Sequence, residues 1–462
     1  MQRRPRRFLV LLTGLVLAAG GLAPPAAASA SAASASAASA SGGSTPDDQP
    51  LPGYTIVNPP LPPAIVHGRP SRVLQGVYRH AAYDIEVPPA WNGELVMWAH
   101  GYAGQGKVLT VAPPSYGLRQ RLLDQGYAWA ASSYYANGYD VRAGVLSTHA
   151  LALRFGSLVR RPQRTFIIGA SMGGHITGRS LEQYPRFYAG GLPMCGVMGD
   201  NSLFDFFLDY HLVAQGLAGI QAHPPGQDYL PVTVPKIQRT LGIDTLPPGA
   251  PDIANPLGRQ LRAITVNRSG GERPGADKAF SFWQNFLFSQ GAPAEGTVAE
   301  DPGQLATNLR ARYVPNTPVD INRAVQRVRP ENVRARYSPF LTQSPQIFGV
   351  PNVPVLSLHN LGDLFVPFSM ERTYLADVSR RGQSRLLVQR AIRSTQHCEF
   401  SPAEAGAAWD DLSRWVHRGQ RPAGDDLRNP QVIAAADYGC RFSDRDAYAA
   451  GSGTRRLYAP CP

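Results

Sequence analysis

The chain has 462 residues, with 45 Lys and Arg against 33 Asp and Glu and a net charge of +12. The basic residues are scattered, with no dense Lys/Arg block and no nucleic-acid motif, so no nucleic-acid partner is expected. No CxxC or HExxH occurs, so no metal site is expected.

The chain opens on MQRRPRRFLVLLTGLVLAAGGLAPPAAASA, in which four arginines precede an apolar run and small residues follow. That is the pattern of a secretory signal peptide, placed at residues 1–28. The run is too short and too rich in Gly and Ala for a spanning helix, so an exported protein without a membrane anchor is expected. Residues 29–50, SASAASASAASASGGSTPDDQP, cannot bury enough apolar surface to order themselves and read as a linker. Without the four leader arginines the net charge is +8, which serves solubility.

Residues 72–87 read as two short strands, and Trp91-Asn92-Gly93 as a turn. The apolar run Leu95–Ala99 is a buried strand that ends in His100-Gly101. A helix at 117–125, a strand at Tyr127–Ser132, a helix at 143–159 and a strand at Thr165–Ile168 follow. A further helix spans 174–184, stopped before Pro185, and a strand spans 189–195. Strands alternating with helices imply a mostly parallel sheet covered on both faces. The alternation breaks near Gly199 and resumes with a strand at 353–358, a helix near 369–381, a strand at 385–391 and a helix at 402–417. The Pro-rich stretch 200–345 is therefore an insertion, or cap, between core segments 51–199 and 346–420, with a C-terminal extension at 421–462.

The stretch GASMGGH at 169–175 contains Gly169-x-Ser171-x-Gly173. In a chain this rich in Gly and Ser, about 0.3 such matches arise by chance, so the surroundings must decide. An apolar strand enters and a helix leaves, which is what a nucleophile elbow requires. A serine nucleophile needs a base, and the base needs an acid. His397, in RSTQHCEF after the strand at 385–391, is the expected base, and Asp363, in HNLGDLFVP after the strand at 353–358, the expected acid. Both would open on the same sheet edge as Ser171. Asp200, in VMGD, is the second choice of acid; His359 reads as structural, and His175 cannot curl back from its own helix.

Acyl transfer also needs donors for a developing oxyanion. The backbone N–H groups of Met172 and Tyr102 are expected to supply them. The substrate side is expected to include His100 as a buttress of its loop, the cap aromatics Phe204 and Phe207, and Arg273 on a loop near a substrate carboxylate. Phe206, Phe280, Trp283 and Phe286 join those aromatics in suggesting an apolar or aromatic acyl pocket, or else the cap's own core. Residues 101–107 match GxxxxGK, but Val108 cannot hold Mg²⁺ where a phosphate loop needs Ser or Thr, so nucleotide binding is not expected.

Four cysteines in an exported protein suggest two disulfides, with three pairings open. In one of them Cys440–Cys461 staples the C-terminal tail and Cys195–Cys398 ties two loops together.

With AHGYAG, GASMGG, LGDLFVP, QHCEF and the closing helix SPAEAGAAWDDLSRWV, residues 75–199 and 347–420 resemble the α/β-hydrolase superfamily. The resemblance is greatest to secreted serine esterases and amidases of the phthalyl amidase-like kind. It implies a mostly parallel sheet flanked by helices, with a large cap inserted between strands six and seven. It also implies a Ser171–His397–Asp363 triad, no cofactor, and a small-molecule or polymeric ester substrate. HGY with SMGG is similar to polyester-hydrolase elements, although those enzymes lack a large cap. HC is similar to tannases and feruloyl esterases, in which the Cys beside the His is bonded to one beside the Ser. Ala170 holds that place here, which leaves Cys195 as the partner this resemblance implies for Cys398, bracing the His397 loop. An esterase is the leading expectation; an amidase or peptidase, a polyester depolymerase and a non-catalytic binding protein are the alternatives.

Overall fold

The computed structural model describes residues 45–291, 302–317 and 320–461. The expected signal peptide and residues 29–44 of the expected linker lie outside them. The last linker residues are already tied to the fold, since the His80 N–H donates to the Asp47 carbonyl at 3.0 Å.

Eight strands form one sheet: β1 (Arg72–Tyr78), β2 (Ala81–Val87), β3 (Glu94–Ala99), β4 (Ala128–Ser132), β5 (Arg164–Ala170), β6 (Gly190–Met194), β7 (Val355–Asn360) and β8 (Leu387–Ile392). Their spatial order is β8-β7-β6-β5-β3-β4-β2-β1. β2 pairs antiparallel with both neighbours, and every other pairing is parallel. This order, with the second strand reversed, is the α/β-hydrolase fold.

β3 and β4 are buried along their whole length, as expected of strands covered on both faces. The helices that cover the sheet are α1 (Leu118–Asp124), α2 (Val141–Leu158), α3 (Met172–Gln183), α8 (Ser369–Arg380) and α9 (Pro402–Arg418). α9 shows how its sequence sets its ends. Ser401 and Glu404 form a capping box, Pro402 occupies the first turn, and Gly419 closes the helix in the left-handed region at φ 69°.

Between β6 and β7 the insertion folds as α4 (Ser202–Ala218), α5 (Val234–Leu241), α6 (Pro256–Arg268) and α7 (Ala276–Ser289), followed by irregular chain with short helical turns. The insertion shares one apolar cluster with the core: Phe204, Phe280 and Trp283 join Met172, Ile176 and Leu364. Among the described residues no helix is long and apolar enough to cross a membrane.

Register sets where the loops emerge. Ala99 lies opposite Gly169, Ala170 opposite Met194, Met194 opposite Leu358, and Asn360 opposite Ile392. The C-terminal ends of β3, β5, β6, β7 and β8 therefore align at one edge. Gly101, Ser171, Cys195, Asp363 and His397 all follow that edge within a few residues.

Candidate active site

Ser171 sits between β5 and α3 with φ 59° and ψ −122°, a conformation that a side chain adopts only when its surroundings impose it. The flanking glycines are what permit it. A Cβ on Gly169 would lie 2.0 Å from the Gly173 carbonyl oxygen, and one on Gly173 would lie 2.0 Å from that of Ala99. The neighbour is backbone in both cases, so no side chain can step aside. Gly173→Ala is expected to lower unfolding stability by about 3 kcal/mol, read as a fall in the denaturant midpoint.

α3 begins at Met172, directly after Ser171, and not at 174 as its sequence pattern suggests. The serine thereby stands at a helix N-terminus, whose first N–H groups have no partner inside the helix. The loop after β3 closes on the same point: a Cβ on Gly101 would lie 3.1 Å from the Ser171 Cβ. The backbone of Tyr102 continues from there.

His397 reaches Ser171 from the loop after β8. Its Nε2 lies 2.8 Å from Ser171 Oγ, and its Nδ1 lies 2.6 Å from Asp363 Oδ2. A carboxylate only accepts, so Nδ1 carries the proton and Nε2 is left to accept from the serine hydroxyl. The other carboxylate oxygen of Asp363 accepts the N–H groups of Phe365 at 2.9 Å and Val366 at 3.1 Å. Asp363 is fully buried, and these three donors replace its water. His359 steadies the same loop, its Nε2 donating to the Val366 carbonyl at 2.8 Å.

The disulfides are Cys195–Cys398 and Cys440–Cys461. The first joins the end of β6 to the residue after His397, with a Cα–Cα distance of 5.3 Å. Among the described residues one group of possible metal ligands draws together, Cys195, His397 and Cys398. Its two sulfurs are bonded to each other, which leaves no thiolate to bind an ion.

The other expected residues fall into place differently. His100 stacks on Tyr134 with centroids 4.0 Å apart and donates from Nδ1 to the Gly101 carbonyl at 2.7 Å, while burial pulls its pKa down. The imidazole is thus held against its own loop through Nδ1. Phe204 is 1% exposed and packs edge-on to Tyr139, which makes it a core residue and corrects its expected place in the acyl pocket.

Arg273 is also corrected. Its guanidinium is buried and donates to the Leu361 carbonyl, the Gly271 carbonyl and Ser269 Oγ, with its pKa pulled down to about 10 by burial. It braces cap against core and does not stand on a loop toward a substrate carboxylate. Asp200 accepts the N–H groups of Asn201 and Ile347, and burial pushes its carboxyl up to about 7; its carboxylate is engaged away from His397. His175 accepts a hydrogen bond from the Tyr139 hydroxyl at Nδ1 and donates to the Pro345 carbonyl from Nε2, buried under the elbow.

Phe207 is 2% exposed and is likewise a core residue, which corrects its expected place in the acyl pocket; it packs behind Phe365, which stands 4.7 Å from the His397 ring, centroid to centroid. Phe286 of α7 lies 4.5 Å from Phe365 in turn. Phe365 and Phe286 are only partly buried. Phe365 is the residue that sequence reasoning misses, although LGDLFVP contains it. The indole N–H of Trp283 donates to both the Gly362 and the Thr395 carbonyls, at 3.1 and 2.9 Å, and so joins the Asp363 and His397 loops to the cap.

No family model matches the chain. An o-phthalyl amidase of Xanthobacter agilis is 34% identical over 109 residues, which is 23% of this chain and 24% of that protein. The chain thus matches about a quarter of that relative's length. Among solved structures, an esterase from Aspergillus oryzae aligns with a TM-score of 0.47 at 14% identity, covering 76% of this chain and 80% of that one. Feruloyl esterase B from Aspergillus oryzae aligns with a TM-score of 0.43 at 13% identity, covering 74% and 79%. The fold assignment rests on the strand order and the reversed β2.

Proposed function

We propose that the protein is an exported serine hydrolase that cleaves carboxylic esters through an acyl-enzyme. The reading is carried by one observation, the unbroken run from Ser171 Oγ through the His397 ring to the buried Asp363 carboxylate. In this reading Ser171 attacks the ester carbonyl while His397 takes its proton and later returns it to the leaving alcohol. Asp363 holds the imidazole tautomer and stabilises its charged form. The Met172 and Tyr102 N–H groups receive the oxyanion, and water then frees the acyl group. Two disulfides favour an oxidising destination, in keeping with the leader at residues 1–28.

Phe365 and Phe286, both partly buried and close to the His397 ring, favour a flat apolar acyl group over a short aliphatic one. Phe286→Ala is expected to raise KM about tenfold for p-nitrophenyl benzoate and by less than about twofold for p-nitrophenyl acetate. Equal KM changes for the two esters would remove the aromatic pocket from the account.

The match to an o-phthalyl amidase favours a second reading, an amidase using the same residues on an aromatic acyl group. Matched benzoate esters and benzanilides separate the two, since an amidase must protonate a poor amine leaving group. The ester reading expects ester turnover to exceed anilide turnover by at least about a hundredfold, and comparable rates would shift the assignment to the amidase.

A further inference from the structure

His397 stands in a loop with an anchor on either side. On the C-terminal side the Cys195–Cys398 disulfide pins the next residue. On the other side the grip comes from outside the α/β core. The C-terminal extension, looped by Cys440–Cys461, returns to the His397 loop through residues 454–458.

One hydroxyl does most of this. Thr454 Oγ1 accepts the N–H of Thr395 at 2.6 Å and that of Gln396 at 3.1 Å, and donates to the Glu399 carboxylate. A hydroxyl can accept twice and donate once, so this one is fully used. Its partners are the two residues before His397 and the second residue after it. The Thr454 N–H and Arg455 both bind Glu399 Oε1, at 2.9 and 3.1 Å, and Arg455 also reaches Glu404 at the start of α9, at 2.7 Å. The Tyr458 hydroxyl donates to the Ser394 carbonyl at 2.8 Å. Ser394, Thr395, Thr454, Arg455 and Tyr458 are all buried, so no water stands ready to replace a lost partner.

We propose that Thr454 is a positioning residue for His397, and that the C-terminal extension is thereby part of the active site. The proposal rests on the reading of His397 as the base for Ser171. Near-isosteric valine at this position would leave the buried Thr395 N–H and the part-buried Gln396 N–H without their shared acceptor, would remove one donor from the Glu399 carboxylate, and would free the backbone that sets the Nε2 to Oγ distance.

The test uses the full chain as wild type, Thr454→Val and Thr454→Ser, with p-nitrophenyl acetate turnover and fluorophosphonate inactivation as readouts. Thr454→Val is expected to lower kcat by about 10- to 100-fold, with KM held within about threefold. Inactivation should slow in step. Thr454→Ser, which keeps the hydroxyl, is expected to return kcat to within about threefold of wild type. A kcat for Thr454→Val within about twofold of wild type, or a Thr454→Ser variant as impaired as Thr454→Val, overturns the proposal. If Thr454→Val does not accumulate as folded protein, Tyr458→Phe replaces it, with an expected fall in kcat of about three- to tenfold; an unchanged kcat there overturns the proposal equally. A wild type inert to both reagents instead overturns the catalytic reading of Ser171 and His397, and the proposal with it.

Discussion

Replacing Ser171 with alanine is expected to lower kcat for ester hydrolysis about a million-fold. The substitution removes one atom, Oγ, which lies 2.8 Å from His397 Nε2. It leaves the Cβ and the flanking glycines, so the turn between β5 and α3 is retained. A residual rate of about 10³–10⁴ over water is expected from the remaining donors and binding contacts. A single-turnover assay with an active-site titrant checks the fall, and an unchanged thermal midpoint separates lost chemistry from lost structure. Retention of more than about 1% of kcat would mean that another group attacks the carbonyl.

Asp363→Asn has the second largest expected effect, a fall in kcat of about 10⁴. Asp363 Oδ2 accepts the Nδ1–H of His397, which directs the free lone pair of Nε2 at the serine. An asparagine amide can donate to Nδ1, which moves the imidazole proton to Nε2 and removes the base. The Oδ1 side changes little, because a side-chain carbonyl still accepts from Phe365 and Val366. The loss is therefore expected in kcat, with KM within about threefold of wild type. Steady-state kinetics on one activated ester suffices, and an equal effect on kcat and KM would indicate a disturbed loop.

The sheet and its connections are largely legible in the sequence, because covered parallel strands leave short apolar runs and the helices between them have their own period. The elbow is legible because glycines at 169 and 173 meet backbone and nothing larger would fit. Asp363 and His397 are legible as the polar residues after the last two strands, and the register then explains why they share an edge with Ser171. What the sequence conceals is tertiary. Nothing local separates Phe204, sunk against Tyr139, from Phe365, which faces the His397 ring, since both are aromatics in apolar stretches. Arg273 in SGGERP carries no mark that its guanidinium is buried against the Leu361 carbonyl, 88 residues away. Thr454 and Trp283 make their hydrogen bonds across long separations, and such bonds impose no periodicity on the chain.

The cap and the extension therefore carry more than their own stability. Trp283 ties the Asp363 and His397 loops from α7, and Thr454 ties the His397 loop from the extension. The residues that would perform the reaction are thus set in place by segments on which the strand-helix pattern is silent.

The central claim is that Ser171 is the nucleophile, activated by His397. The most direct measurement is mass spectrometry of the protein after reaction with a fluorophosphonate, followed by peptide mapping. The account predicts one adduct per chain, located on Ser171, absent in Ser171→Ala and formed at least about a hundredfold more slowly in His397→Ala. An unmodified wild type, or an adduct on any other residue, would contradict it.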